Sequence, residues 1–78
     1  LTRPLIDLRV RGKGCTGDPV YRLNNVLSKG LKEIELVVDP SKLPLAVISL
    51  IAKRKGYAVV GHRAEGGFLH VILVADND

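Results

Sequence analysis

Residues 68–74, Phe-Leu-His-Val-Ile-Leu-Val, leave almost no polar position on either side of an extended chain. Apolar on both faces, such a strand belongs inside a sheet and not at its margin. In a chain of 78 residues this demand reaches every other element. A domain so small buries only about 60% of the surface its unfolded chain exposes, so the core has to run through all of its helices and strands. The composition allows that: 46% of residues are hydrophobic and 26% charged, a globular balance far from that of a disordered chain. Residues 1–78 are expected to form one domain, with no room for a cofactor domain beside a substrate domain.

The rest of the chain supplies partners for that strand. Ile6, Leu8 and Val10 alternate with Asp7, Arg9 and Arg11, the two-residue period of a half-buried first strand. After the segment 12–17, Asp18 offers a capping oxygen and Pro19 a φ suited to the first helical position. Val20, Leu23, Val26 and Leu27 mark the inward face of this helix, and Gly30 is placed to stop it. Ile34, Leu36 and Val38 alternate with Glu33 and Glu35 in a second strand that ends at Asp39-Pro40, both glutamates being expected to face water. Residues 41–44 carry cap and first-turn signals for a second helix, whose inward stripe is expected at Val47, Leu50 and Ile51. Residues 57–60 and 68–74 read as strands joined by Glu65-Gly66-Gly67. The expected fold is α+β, a two-layer βαβαββ sandwich with a four-stranded mixed sheet and both helices on one face. The opposite face is then open, and an apolar patch there would suit a homodimer.

One segment invites chemistry. Gly12-Lys13-Gly14-Cys15-Thr16-Gly17 matches G-x-G-x-x-G between a strand and a helix. Asp18, however, follows the last glycine, caps the helix itself and would repel a phosphate there, which argues against a nucleotide site. Cys15 is the only cysteine, flanked by glycines on a polar loop with Arg11 and Lys13 nearby. Positive charge and a helix N-terminus lower a thiol pKa, while Asp18 opposes them. The residues leave two readings open, a reactive thiol and an inert loop cysteine. His62 and His70 belong to the C-terminal hairpin and read as ordinary strand or turn residues, so no base is assigned to Cys15.

Charge and cysteine usage narrow the classes further. Twelve basic residues against eight acidic ones give a net charge of +4. That favours encounters with acidic partners without specifying them. Three aromatic residues, Tyr21, Tyr57 and Phe68, provide no stacking platform beside the basic runs, so nucleic acid is not the expected partner. Lys53, Arg54 and Lys55 fall at the end of the second helix, where they offset its dipole. One cysteine and two isolated histidines exclude a disulfide framework and a structural zinc site. No metal or cofactor is expected. The longest mostly apolar run, residues 43–52, falls short of the roughly 18 residues of a membrane span, and no signal-peptide pattern opens the chain. A soluble cytoplasmic protein is expected. The chain begins at Leu1 and has no Met, so a processed, trimmed or alternative start is also expected.

Taken together, Ile6-Asp7-Leu8-Arg9, Cys15 before a helix opened by Pro19-Val20, Val37-Val38-Asp39-Pro40, Lys55-Gly56-Tyr57 and the glycine hairpin resemble the TusA/SirA family of small sulfur carriers. The likeness covers nearly the whole chain. Family members carry Cys-Pro-x-Pro at the helix start, whereas here Thr16 follows Cys15 and Pro19 stands four positions on. The resemblance implies that Cys15 takes sulfur as a persulfide and passes it to a partner, with no cofactor. It implies a protein donor and a protein acceptor, such as a cysteine desulfurase or a sulfur-relay protein, and a sulfurtransferase-like role if the thiol reacts. Arg11 and Lys13 would then stabilise the persulfide anion and steer an acidic partner. Asp18 and Pro19, with Arg9 and Asp39, would set loop and helix geometry. The alternative is a non-catalytic interaction module of the same fold with an inert cysteine.

Overall fold

The computed structural model describes residues 4–9 and 18–76. The elements run β1 (Leu5–Asp7), α1 (Pro19–Leu27), β2 (Glu33–Val38), α2 (Leu45–Arg54), β3 (Tyr57–Glu65) and β4 (Phe68–Ala75). The sheet order is β1-β2-β4-β3. β1 pairs with β2 in parallel, and the β2–β4 and β3–β4 pairings are antiparallel, so the sheet is mixed. The doubly apolar segment is β4, hydrogen-bonded on both edges, as its composition demands. The α+β architecture expected from the sequence is the one observed.

Register decides what each face buries. Ile34 pairs with Leu73 and Leu36 with Val71, which puts alternate residues of β2 and β4 on one side of the sheet. All four are fully buried, together with Leu23 and Leu27 of α1 and Ile48 and Ala52 of α2. Tyr57 closes this layer, its hydroxyl donating to the Leu31 carbonyl so that the phenol is buried without stranding its polar end. On the other side lie Glu33, Glu35 and Val37 of β2 and His70, Ile72 and Val74 of β4. The β3–β4 turn consists of Gly66 and Gly67, with φ of +61° and +82°. Two successive positive φ values define a turn whose twist matches the strands it joins, and glycine adopts them without a side-chain clash.

Several local expectations shift. β1 ends at Asp7, with Leu8 already buried beyond it, and β3 extends to Glu65. Val20 is 39% exposed and does not join the core stripe of α1. Arg22 donates to the Asp7 carbonyl at 2.9 Å, at the last residue of β1. Leu50 is 55% exposed, whereas Val47 and Ile51 pack against the core as expected, beside the buried Ile48 and Ala52. Leu50 lies about 200° of helical arc from Ile48. The helix is apolar at so many positions that two stripes fit its sequence, and only the sheet selects one. The cap signals at 41–44 serve a preceding turn: Ser41 donates to Asp39 through both its backbone N–H and its hydroxyl, and α2 starts after Pro44 with no side-chain cap.

Candidate functional site

The carboxyl end of the parallel pair gathers the stems of the segment that attracted attention in the sequence. Open α/β sheets bind ligands at such an end, where chains leave the strands and helices begin. On the strand side, Asp7 and Arg9 form a two-pronged ion pair, with Arg9 Nε 3.0 Å from Asp7 Oδ1 and Nη2 2.7 Å from Oδ2. The Arg9 backbone N–H donates to the same carboxylate at 2.9 Å. Above the pair, the Arg9 guanidinium stands 5.0 Å from the centre of the Phe68 ring, which ties the end of β1 to the start of β4. The Arg9 guanidinium hydrogen bonds, then its backbone N–H, hold the Asp7 carboxyl down to about 2, and Asp7 in turn raises Arg9.

On the helix side, the Asp18 carboxylate accepts the Val20 N–H at 2.7 Å and Pro19 occupies the first helical position. Both expected roles are met. The Arg22 bond to the Asp7 carbonyl couples this helix start to the strand end. Asp39, in the turn after β2, is held below its ordinary value by the Ser41 hydroxyl and then the Ser41 N–H. Arg9 and Asp39 each hydrogen-bond a side chain two positions away in the chain. Cys15, Arg11 and Lys13 lie outside the described residues, as does the whole Gly12-to-Gly17 motif.

A second constellation escaped the sequence reading. On the open face His70 stands between two carboxylates, with Nδ1 3.5 Å from Glu35 Oε2 and Nε2 3.6 Å from Glu65 Oε1. Those are ion-pair separations, and Nδ1 makes no hydrogen bond although it is shielded from solvent. Arg63 pairs across from His70 in the ladder and reaches Glu65 at 3.4 Å. A shallow recess of about 230 Å³ lies here, lined by Glu35, Gly61, His62, Arg63, His70 and Ile72. Glu35 is thus turned toward His70, with only 22% of its side chain exposed, which corrects the expectation that it faces water. The two carboxylates address opposite ring nitrogens, so one ion could not be chelated by all three groups. Among the described residues no cluster of three or more His, Cys, Asp or Glu is arranged to hold a metal. The signal was present as alternation in three strands, but it becomes a cluster only once β4 is known to lie between β2 and β3.

Compared with protein-family models, curated proteins and solved structures, the chain matches none. No helix is long and apolar enough to cross a membrane among the described residues.

Proposed function

We propose that this chain is a small cytoplasmic sulfur carrier in which Cys15 accepts sulfur as a persulfide and delivers it to an acceptor protein. One observation carries the reading: the connection that contains the only cysteine joins the end of β1 to the N-terminus of α1, with its two stems bonded to each other through Arg22 and Asp7. Cys15 precedes the Asp18 cap by three residues. A helix N-terminus and nearby cations favour thiolate over thiol.

The exchange balances without an external oxidant. The Cys15 thiolate attacks the outer sulfur of a donor persulfide; a new S–S bond forms, the donor S–S bond breaks, and the donor leaves as a thiolate. An acceptor thiolate then attacks the outer sulfur on Cys15, which is released as a thiolate. Arg11 and Lys13 would offset the persulfide charge. The protein donor is a cysteine desulfurase or another relay component, and neither step requires a deep pocket.

One feature favours a second reading, an interaction module with an inert cysteine. The Asp18 carboxylate already occupies a first-turn N–H of α1, so it competes with a thiolate for the same partial positive charge. Intact mass after incubation with a cysteine desulfurase and cysteine separates the two. The carrier gains the mass of sulfur and the Cys15→Ser variant does not. No gain in the unaltered protein, together with an alkylation midpoint at the value of free cysteine, supports the module.

A further inference from the structure

Basic residues that are separate in the chain meet at one end of the fold. Lys29 and Lys32 follow α1, Lys53 and Arg54 occupy the last turn of α2, Lys55 caps it, and all five are exposed. Hydrogen bonds between the segments bring them together. Lys55 Nζ lies 3.4 Å from Ser28 Oγ, which joins the ends of the two helices. Ala75 donates its N–H to the Lys32 carbonyl and Asp76 donates its N–H to the Gly56 carbonyl, each at 2.7 Å, so two adjacent residues tie 32 and 56 to the same place. Lys53 extends the group toward β3, where it lines a groove with Tyr57 and Asp76.

Local structure does not use up this charge. Among the described residues, the carboxylates at this end are Glu33, at the start of β2, and Asp76. A helix C-terminus carries only about half a negative charge. Lys53 and Arg54 exceed that for α2; Lys29, just past α1, suffices for a helix with no basic residue in its last turn, and Lys32 and Lys55 are left over.

The surroundings of the cations select the partner. Protein interfaces enclose apolar and aromatic side chains and are depleted in lysine, and a peripheral membrane site needs apolar residues to insert. Residues 28–32 and 53–56 include no exposed large apolar side chain, and the nearest along the chain, Leu50, stands a full turn before Arg54. Lysines set among Ser28, Gly30 and Gly56 suit a partner held by charge alone, a row of phosphates. The one ring at this end, Tyr57, is buried with its hydroxyl engaged, so it cannot stack an unpaired base. That disfavours a single strand but places no demand on a duplex, whose bases are already stacked.

We propose that the end of the molecule formed by Lys29, Lys32, Lys53, Arg54 and Lys55 binds the phosphate backbone of double-stranded nucleic acid without reading its sequence. The cluster follows the C-terminus of α1, whereas Cys15 precedes its N-terminus, so this site is independent of the persulfide chemistry.

The test measures fluorescence anisotropy of a short DNA duplex and a short RNA duplex, each in two unrelated sequences, titrated with the full chain over a range of salt. Binding of either duplex, alike for both sequences and with log K falling against log salt at a slope of about −3, is expected. Lys29→Glu/Lys55→Glu weakens it by about tenfold. Lys42→Glu/Arg63→Glu makes the same change in net charge at exposed positions elsewhere and leaves binding nearly unchanged, with amide NMR spectra showing both variants folded. The proposal is overturned by an absence of binding, by equal losses in the two variants, by a preference for one sequence or for unpaired strands, or by tighter binding to polyglutamate or to phosphatidylglycerol vesicles at the same salt. Cys15→Ser binds the duplex unchanged, so the outcome stands apart from the persulfide experiment.

Discussion

The same strands build two different surfaces, one on each side of the sheet. Against the helices, Ile34, Leu36, Val71 and Leu73 are fully buried, and among the described residues no polar or charged residue is buried with them. One residue along each strand, the opposite face holds Glu35, His70 and Arg63 among Ile72 and Val74, and among the described residues no helix covers it. Burial on one side fixes register, since a slip by one position would exchange the two sets completely. The other side is thereby free to carry charge. Stability should be concentrated in the helix layer and chemistry left to the open face and the sheet ends.

Adjacent residues of β4 offer the strongest way to break this comparison. Leu73→Ala should cost about 3 kcal/mol, through lost burial and the cavity left between the helices and the sheet. Ile72→Ala, on the open face, should cost well under half of that. Urea unfolding with an unchanged m-value measures both. Equal costs would mean that the second face is as enclosed as the first.

Val37 sharpens the comparison from the other direction. It lies on the open face, in register with Asp7 and His70, yet only 4% of it is exposed. Val37→Ala should therefore destabilise by about 1.5 kcal/mol, from the buried methyl groups alone. A cost near zero would place all the buried stability on the helix side. Next in size is the cap that starts α1: Asp18→Ala should lose about 1 kcal/mol, and Asp18→Asn, which keeps an acceptor oxygen, should recover most of it. The same pair of variants bears on the thiol. If the Asp18 charge opposes a Cys15 thiolate, Asp18→Asn lowers the pH midpoint of alkylation while stability changes little.

How far these features were legible follows from the range of the interactions behind them. The turn at Gly66-Gly67, the Asp18-Pro19 start and the interior place of β4 each depend on residues adjacent in sequence, and each was readable there. Leu50 does not share the core side with Val47 and Ile51, because α2 has more apolar positions than one face can hold and the choice belongs to the sheet beneath it. The Arg9–Phe68 contact and the Glu35–His70–Glu65 row were not legible, because they join residues whose proximity exists only after the strand order is set. Of the candidate site, the sequence revealed the chemistry of Asp18 and Pro19 and the identity of the lone thiol. It did not reveal that Arg22 fastens the two stems together, since that bond spans fifteen positions.

The smallest expected effect is electrostatic and tests whether exposed polar structure at the sheet end contributes at all. Asp7 titrates at about 2 in the folded protein, against 3.8 for a free aspartate, because of Arg9. Asp39 is displaced in the same direction by Ser41. For both, the unfolded chain takes up protons first as the solution is acidified, so stability must fall with falling pH. The contribution is whole above about pH 4 and, for Asp7, is lost on the way down to about pH 2. Asp7→Asn and Asp39→Asn should each flatten the dependence of the urea midpoint in that window and leave it unchanged near neutrality. Salt distinguishes them. Asp7 and Arg9 are solvent-exposed ions whose attraction is screened at about 1 M salt, whereas Asp39 is held chiefly by a hydroxyl and an amide that carry no net charge. High salt should shrink the effect of Asp7→Asn to the part held by the Arg9 backbone N–H and spare that of Asp39→Asn. If instead both effects persist, the Asp7 carboxylate is held by geometry in the manner of a capped turn, and the strand end is stiffer than an exposed ion pair would make it.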